Sequence, residues 1–204
     1  MHGCILAYIY VQKKRDQHRC WNLLQCYHTS MKYVALLRGI NVGGNHTVKM
    51  DDLKKLFESA DCSNVSTYIN SGNVLFETKL KKREICERLE TIFKENFNFD
   101  IPILVKTSRE MKLIANSIPS EWKNDNIEKS DIAYLFPEIN NAKILDELPV
   151  KKQFVDIRYV NGAIFWNVKR KNYNKSNLNK IISSKCYKYM TVRNINTARV
   201  VGKW

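Results

Sequence analysis

The chain lacks several features that would place it in a familiar class. Its 204 residues contain no apolar run long enough to cross a membrane. The apolar stretch at residues 4–11 precedes the nearby positive charges, which is the reverse of a signal peptide. The cysteines at positions 62, 86 and 186 lie far apart, as is typical of reduced thiols in the cytosol. We therefore expect a cytoplasmic protein that does not contact a membrane.

Residues for conventional catalysis are also scarce. His46 is the only histidine after residue 28, so a Ser–His or Cys–His pair could use only that one. Its polar loop favours a solvated side chain. Ser71 has a hydroxyl that could act as a nucleophile, but the sequence shows no base for it. The sequence therefore leaves open whether the protein is an enzyme, and it predicts no cofactor.

Acidic residues are missing from the last part of the chain. Residues 157–204 carry eleven Lys and Arg and no Asp or Glu, whereas residues 31–156 carry nineteen of each sign. A concentration of one sign favours a polyanionic partner, although a solvated Lys-rich surface is the alternative interpretation. The candidate contacts with nucleic acid follow the last predicted hairpin and include a tyrosine that could stack on a base. They are Lys169, Arg170, Lys171, Tyr173 and Lys175.

The first thirty residues differ in composition from the rest. They hold three of the four histidines and three of the six cysteines, but no Glu and no Pro. We interpret residues 1–30 as a non-native or disordered extension in front of Met31. A zinc site is the alternative, but its Cys and His residues are separated by a single residue, which is not the spacing of zinc knuckles. We therefore predict no metal site.

Hydrophobic periodicity predicts alternating strands and helices from residue 31 onward. Strands are predicted over 33–38, 65–69, 74–77 and 101–106, and helices over 50–60, 82–97 and 108–118. Thr107 and Glu110 form the sequence pattern of a capping box in front of the last of these helices. The order βαββαβ is that of the ferredoxin-like unit.

A similar βαββα half follows. Strands are predicted over 131–136, 154–160 and 163–169, and helices over 141–148 and 173–185. The hairpins at 68–76 and 159–165 have similar sequences, and the second contains the strong turn signal Asn161-Gly162. We therefore predict an α+β fold with an internal duplication. Its parts are a ferredoxin-like half over 31–118, a linker over 119–130 and a second half over 131–204 that ends in basic helices.

This topology predicts one cluster of polar residues. Right-handed crossovers make the first two strands parallel, so the loop after strand one and the turn after strand two leave the sheet at the same end. Their guanidinium, amide and backbone N–H donors would suit a phosphate or a carboxylate, although tight turns alone also require Asn and Gly. The candidate ligand-binding residues here are Arg38, Asn41, Gly43, Gly44, Asn70, Ser71, Gly72 and Asn73.

The stretches at 35–44, 48–50 and 68–74 resemble the hallmark motifs of the bacterial domain-of-unknown-function family 1697. The stretch at 191–197 is similar to the closing motif of that family, so the resemblance runs from residue 31 to residue 204. It implies a duplicated α+β arrangement and brings no established activity. It also implies that Arg193, Asn194 and Asn196 converge with the earlier motifs on one pocket. Such a pocket requires Arg193 to lie within about 15 Å of Arg38, the reach of one ligand.

Three functions are compatible with the sequence. The first is a cytosolic binding protein for a polyanion, with nucleic acid as the expected partner. The second is an enzyme or sensor for a small phosphorylated or carboxylated metabolite bound at Arg38 and the Gly-rich loop. The third is a scaffold whose second half docks a protein. Charge favours the first, and the sequence predicts no particular oligomeric state.

Overall fold

The structure is a computed structural model that describes residues 30–44 and 46–204. The predicted extension and its alternative zinc ligands lie outside these residues, apart from Ser30. Within the described ranges no group of three or more His, Cys, Asp or Glu side chains is arranged to hold a metal ion. In the same part of the chain, no helix combines the length and the apolar character needed to cross a membrane.

Two four-stranded sheets organise the described residues. The first half contains β1 (Met31–Leu37), α1 (Met50–Ser59), β2 (Ser63–Tyr68), β3 (Asn73–Thr78), α2 (Lys82–Asn96), β4 (Ile103–Thr107) and α3 (Ser108–Asn116). The second half contains β5 (Glu128–Leu135), α4 (Ile144–Glu147), β6 (Val155–Val160), β7 (Ala163–Lys169), β8 (Met190–Asn194) and α5 (Ile195–Val201). Short 3₁₀ helices lie at Pro137–Ile139, Lys152–Phe154, Arg170–Asn172, Leu178–Ser183 and Lys185–Tyr189.

Both sheets have the same strand order. The first sheet is ordered β2-β3-β1-β4 and the second β6-β7-β5-β8, and all neighbouring strands are antiparallel. The strands β1 and β2 are therefore parallel to each other with β3 between them, as the sequence predicted. The α+β class is confirmed.

Alternate residues of the central strand β1 point into two different cores. Tyr33, Ala35 and Leu37 pack on one face of the first sheet, where α1 and α2 cover them. Val34 and Leu36 point to the opposite face, because successive side chains of a strand alternate. Burial on both faces explains why β1 reads as a nearly continuous apolar run.

A central core joins the two sheets. Besides Val34 and Leu36 of β1, it contains Ile132 and Tyr134 of β5 and buried residues of α3 and α5. A third core lies on the far face of the second sheet, where 3₁₀ helices take the place of long α-helices. The molecule thus consists of two sheets that share the apolar layer between them.

Local sequence signals account for two of the element boundaries. Thr107 Oγ1 accepts a hydrogen bond from Glu110 N at 3.1 Å, and Glu110 Oε2 accepts one from Thr107 N at 2.6 Å. The predicted capping box at the start of α3 is therefore confirmed. The β6–β7 hairpin turns at Asn161-Gly162, and Gly162 has the positive φ of 93° that this turn favours.

The structure of the second half differs from the prediction in three respects. The helix expected over 173–185 does not form, and Leu178–Ser183 and Lys185–Tyr189 are separate 3₁₀ helices. Asn177, with a φ of 62°, precedes the first of them in a left-handed conformation that an α-helix cannot contain. The second half also has a fourth strand, β8, which the sequence did not predict. The strand β5 begins at Glu128, inside the stretch predicted as a linker.

Candidate functional site

The structure brings the Gly-rich loop and the first hairpin turn together. Asn41 Nδ2 donates to the carbonyl oxygen of Asn70 at 2.9 Å and to that of Val48 at 2.9 Å. Asn41 Oδ1 accepts from the backbone N–H of Val48 at 2.8 Å. The predicted proximity of the two loops is confirmed by these contacts. The amide of Asn41, however, braces the loop and has both N–H groups and its oxygen in use.

A cavity of about 530 Å³ lies beside this loop, at the start of α1. Asn41, Gly44, Thr47, Lys49 and Asp51 contribute to its wall. Lys49 is exposed and offers an ammonium group, whereas Asp51 places a carboxylate in the first turn of the helix. That carboxylate opposes the binding of an anion at this helix end.

Arg38 does not line that cavity and contacts the second half. Its Nε donates to the carbonyl oxygen of Met190 at 3.0 Å, and its guanidinium carbon lies 5.2 Å from the centroid of the Tyr187 ring. The guanidinium of Arg38 is therefore engaged with the second half and does not line the cavity to which Gly44 contributes.

Arg193 is buried between the two halves and uses all its donors. A guanidinium has five N–H groups, and here each of them has an acceptor in the protein. The acceptors are Asn73 Oδ1 at 2.7 Å, Ser71 O at 2.7 Å, Leu37 O at 2.8 Å, Thr191 Oγ1 at 2.8 Å and Val192 O at 2.9 Å. We refer to Arg193 with Leu37, Ser71 and Asn73 as the arginine joint.

The arginine joint holds the halves together and offers no free N–H group to a ligand. Burial lowers the pKa of Arg193 to about 10, so the group is still a cation at neutral pH. Its hydrogen-bond partners are neutral oxygens, and no carboxylate is among them. Arg193 does contact the first hairpin turn, as the resemblance implied. The contact is buried within the protein, and protein atoms occupy the place where a pocket was expected.

The other predicted residues at this place also bond within the protein. Asn73 is fully buried, and its Nδ2 donates to Tyr68 O at 3.0 Å. Asn194 Oδ1 accepts from the backbone N–H of Asn196 at 2.8 Å and caps α5. Only glycine fits at position 72 without a shift of the neighbouring atoms, because a Cβ there would lie 2.8 Å from the Cβ of Leu37.

Three of the five predicted nucleic-acid contacts are unengaged. Lys169, Lys171 and Lys175 are exposed and make no hydrogen bond or ion pair to the residues that the structure describes. Arg170 donates through Nη2 to Asn124 Oδ1 at 3.1 Å and through Nε to the carbonyl oxygen of Asp125.

Tyr173 is not free to stack on a base. It is half-buried and packs against the third core, where Lys129 Nζ lies 5.4 Å from its ring centroid. The tyrosine therefore supports the fold of this segment, and the cations around it are the groups that face solvent.

The segment from the end of β7 to the start of β8 covers the outer face of the second sheet. Leu178, Ile181 and Cys186 of this segment enter the third core, whereas its lysines are exposed to solvent. We refer to its seven exposed cations as the basic layer. They are Lys169, Arg170, Lys171, Lys175, Lys180, Lys185 and Lys188.

No acidic side chain among the described residues forms an ion pair with the basic layer. The described residues form nine ion pairs, and none of them includes a member of the basic layer. Lys180 and Lys185 line one open cavity of about 640 Å³, with Ser183 and Ser184 between them and the carboxylate of Glu147 also in its wall.

One unusual residue was missed by the sequence analysis. Lys106 of β4 is only 5% exposed and lies in a cavity of about 300 Å³ between α3 and the β6–β7 hairpin. Its only sequence signal is the alternation of β4, which places it on the same face as the buried Leu104. A lysine on the inner face of a strand is uncommon.

The fold resembles that of a solved bacterial protein. The structure of the conserved bacterial protein SP0830 from Streptococcus pneumoniae matches with a TM-score of 0.75 and 24% sequence identity, over 86% of this chain and 98% of that one. At this identity the likeness shows the fold alone. No curated protein gives a significant match to the chain.

The family model described as "Protein of unknown function (DUF1697)" matches residues 31–166. The match includes the Gly-rich loop and the first hairpin turn, and the closing stretch at 191–197 lies beyond it. It covers well over half of the sequence and agrees with the resemblance seen in the motifs. The chain therefore belongs to the DUF1697 family.

Proposed function

We propose that this protein binds a polyanion through the basic layer, and that nucleic acid is the class of partner. The observation that carries this proposal is the set of seven exposed cations without a carboxylate partner on one layer of the second half. Exposed lysines that are not neutralised within the protein create a positive surface potential, which attracts a phosphate backbone.

The physical signature of such binding is a steep dependence on salt. Each phosphate that a cation neutralises releases condensed counterions, so the logarithm of the binding constant falls by about 0.9 per phosphate for each tenfold rise in salt. Contacts to about four phosphates would give a slope of about −3.6 for duplex DNA and about −2.8 for a single strand. Sequence preference is not expected from lysines alone, since phosphate contacts carry no base information.

The test is a fluorescence-anisotropy titration of the full chain with labelled single-stranded RNA and with duplex DNA over a salt series. The variant Lys180→Glu/Lys185→Glu should weaken binding at least about tenfold and reduce the salt slope by about 2, one per lost contact. The matched control is Lys79→Glu/Lys94→Glu, which makes the same charge change at exposed lysines of the first half. The control should bind within about threefold of the wild type, because only the general charge effect applies.

Two results would refute the proposal. One is the absence of binding to either nucleic acid at low salt. The other is an equal loss of affinity in the two double variants, which would show that net charge, and not the basic layer, drives association.

The small-ligand alternative at the Gly-rich loop has less support. Arg38 contacts Met190 and Tyr187, and the amide of Asn41 is fully used within the loop. Asp51 contributes a carboxylate to the wall of the cavity, which disfavours phosphate and carboxylate ligands. We therefore do not adopt this function.

We also propose that the two halves arose by duplication of a ferredoxin-like unit, over residues 31–118 and 131–204. Three features support this origin: the common strand order, the antiparallel pairing throughout and the similar hairpins in the second and third positions. A cytoplasmic location is consistent with the free thiols of Cys62, Cys86 and Cys186.

A further inference from the structure

The cavity around Lys106 exists only because the two halves pack together. One wall is α3 and the residue after it, with Leu113, Ile114 and Ser117. The opposite wall is the β6–β7 hairpin, with Asn161 and Gly162. Its volume of about 300 Å³ is at the lower end of the range for pockets that hold small molecules.

The amine of Lys106 projects toward the hairpin side of this cavity. The backbone of β4, an edge strand of the first sheet, fixes the position of Lys106, which is paired with Val34 of β1. Its Nζ lies so close to Gly162 that a Cβ at that position would be 2.6 Å away. Gly162 therefore leaves open the space that the amine occupies.

This amine has no partner among the described residues. It makes no hydrogen bond or ion pair there, although 95% of the residue is removed from solvent. The nearby carboxylate of Glu110 on α3 is engaged elsewhere: Thr107 N donates to it at 2.6 Å, and Lys82 Nζ of α2 lies 3.4 Å from it. From the second half, the cavity wall presents only uncharged groups.

These surroundings favour the neutral form of the amine. Burial lowers the pKa of Lys106 to about 8, and the positive charge of Lys82 acts in the same direction, whereas Glu110 opposes it. A desolvated lysine that is partly neutral near physiological pH is a competent nucleophile. An exposed lysine, with its pKa near 10.4, is almost entirely protonated under the same conditions.

We propose that this cavity is a covalent site in which Lys106 condenses with a small aldehyde or ketone. The neutral amine forms a bond to the carbonyl carbon, and the carbonyl electron pair moves to the oxygen. The nitrogen gives up its two protons, and the oxygen takes up two and leaves as water. The product is an imine between Nζ and the former carbonyl carbon. The step consumes no oxidant and no reductant. It is independent of polyanion binding, because it uses no residue of the basic layer.

A second polar group is positioned to orient the guest. Asn140 Nδ2 donates to Asn161 Oδ1 at 2.8 Å, and Asn140 Oδ1 accepts from Gly162 N at 2.7 Å, so the hairpin tip is held firmly. The N–H groups of the Asn161 side chain have no partner in the described part of the chain. They are available to a carboxylate or hydroxyl on the carbonyl compound, which favours small polar carbonyl compounds over apolar ones.

The test is reductive trapping with glyoxylate, a small aldehyde that carries a carboxylate. The full chain is incubated with glyoxylate and sodium cyanoborohydride, and peptide mass spectrometry measures the occupancy of every lysine. Lys106 should be modified at least about tenfold faster than Lys112, an exposed lysine on α3, at pH 7.5. The rate at Lys106 should rise with pH through the pKa of about 8 and level off by about pH 9, where the amine is almost entirely neutral.

Two variants separate chemistry from folding. Gly162→Ala keeps the lysine but fills the space beside Nζ, and it should slow trapping at Lys106 without changing trapping at Lys112. Lys112→Arg should leave trapping at Lys106 unchanged. Far-UV circular dichroism shows that each variant is folded before it is compared.

The wild-type chain alone can overturn the proposal. A rate at Lys106 no higher than that at Lys112 would do so, and so would a rate at Lys106 that keeps rising with pH and shows no plateau. Protection of Lys106 from acetic anhydride by acetate, without any trapping of glyoxylate, would show an anion site in place of a covalent one. Neither result would bear on nucleic-acid binding.

Discussion

Arg193 is a buried cation that the protein stabilises with neutral oxygens. Removing a charge from water is costly, and here the compensation comes from five hydrogen bonds to carbonyl, amide and hydroxyl oxygens. Hydrogen bonds to a charged donor contribute about 1.5–3 kcal/mol each, roughly twice the neutral value. Only arginine can supply five donors from one planar group, so lysine is not an equivalent residue here.

Replacing Arg193 should therefore destabilise the whole protein. Arg193→Met removes the arginine donor to the carbonyl oxygen of Ser71 and leaves that of Leu37 with only the longer hydrogen bond from Thr191 Oγ1 at 3.4 Å. We therefore expect the free energy of unfolding to fall by about 3–5 kcal/mol. Arg193→Lys should recover less than half of the loss, because three donors on a flexible stem cannot reach all of the acceptors. Urea unfolding followed by circular dichroism measures both changes.

The control for this prediction is Lys203→Met, which removes an exposed cation of the same half. It should change the free energy of unfolding by no more than about 0.5 kcal/mol. An Arg193→Met protein as stable as this control would mean that the arginine joint does not stabilise the fold.

The contacts of some residues can be predicted from the sequence, and those of others cannot. The proximity of Asn41 to Asn70 was predictable, because strand order alone decides where the two loops emerge. The acceptors of Arg193 were not, since three of them are main-chain oxygens that any residue could supply. Lys106 has an ordinary sequence setting, and only the packing of the second half against β4 buries it.

At the scale of elements, the first half follows its local signals more closely than the second. The helices α1 and α2 present apolar residues at helical spacing, and both were predicted to within one residue at each end. The two hairpins contain turn residues that specify their geometry and were placed correctly. Short-range chemistry was sufficient for these elements.

The segment after β7 required longer-range information. Its buried residues Leu178 and Ile181 are three positions apart, which suits the three-residue turn of a 3₁₀ helix as well as an α-helix. The strand β8 escaped prediction because two of its buried positions, Thr191 and Arg193, are polar. A strand whose inward positions are polar shows no hydrophobic alternation.

The capping box of α3 allows a prediction at this scale. Thr107→Ala removes the hydroxyl that accepts from Glu110 N, so the free energy of unfolding should fall by about 1 kcal/mol. Thr107→Ser keeps the hydroxyl and should retain most of that stability. Thermal or urea unfolding of the two variants makes the comparison, and equal losses in both would point to the methyl group of Thr107 and against the cap.

At the scale of the whole molecule, the two halves are not independent units. Their sheets share the central core, in which Val34 of β1 and Ile132 of β5 are both fully buried. The arginine joint adds hydrogen bonds across the same boundary. Neither half could separate from the other without exposing this apolar layer to water.

We therefore expect a single cooperative unfolding transition. Urea curves from tryptophan fluorescence and from far-UV circular dichroism should coincide. Phe93→Ala in the outer core of the first half and Leu178→Ala in the outer core of the second should each shift the entire curve, by about 3–5 and 2–5 kcal/mol respectively. Two separate transitions, each sensitive to only one of the substitutions, would contradict a shared core.

The arginine joint also bears on how the chain matures on the ribosome. Leu37 and Ser71 are synthesised early, whereas the guanidinium that satisfies their carbonyl oxygens is added more than a hundred residues later. During that interval the nascent first half would carry unpaired polar groups on an uncovered apolar face, a surface suited to chaperone contact. Translation of β8 would close this surface, so the first half depends on the synthesis of β8 before its polar groups are paired and its apolar face is covered.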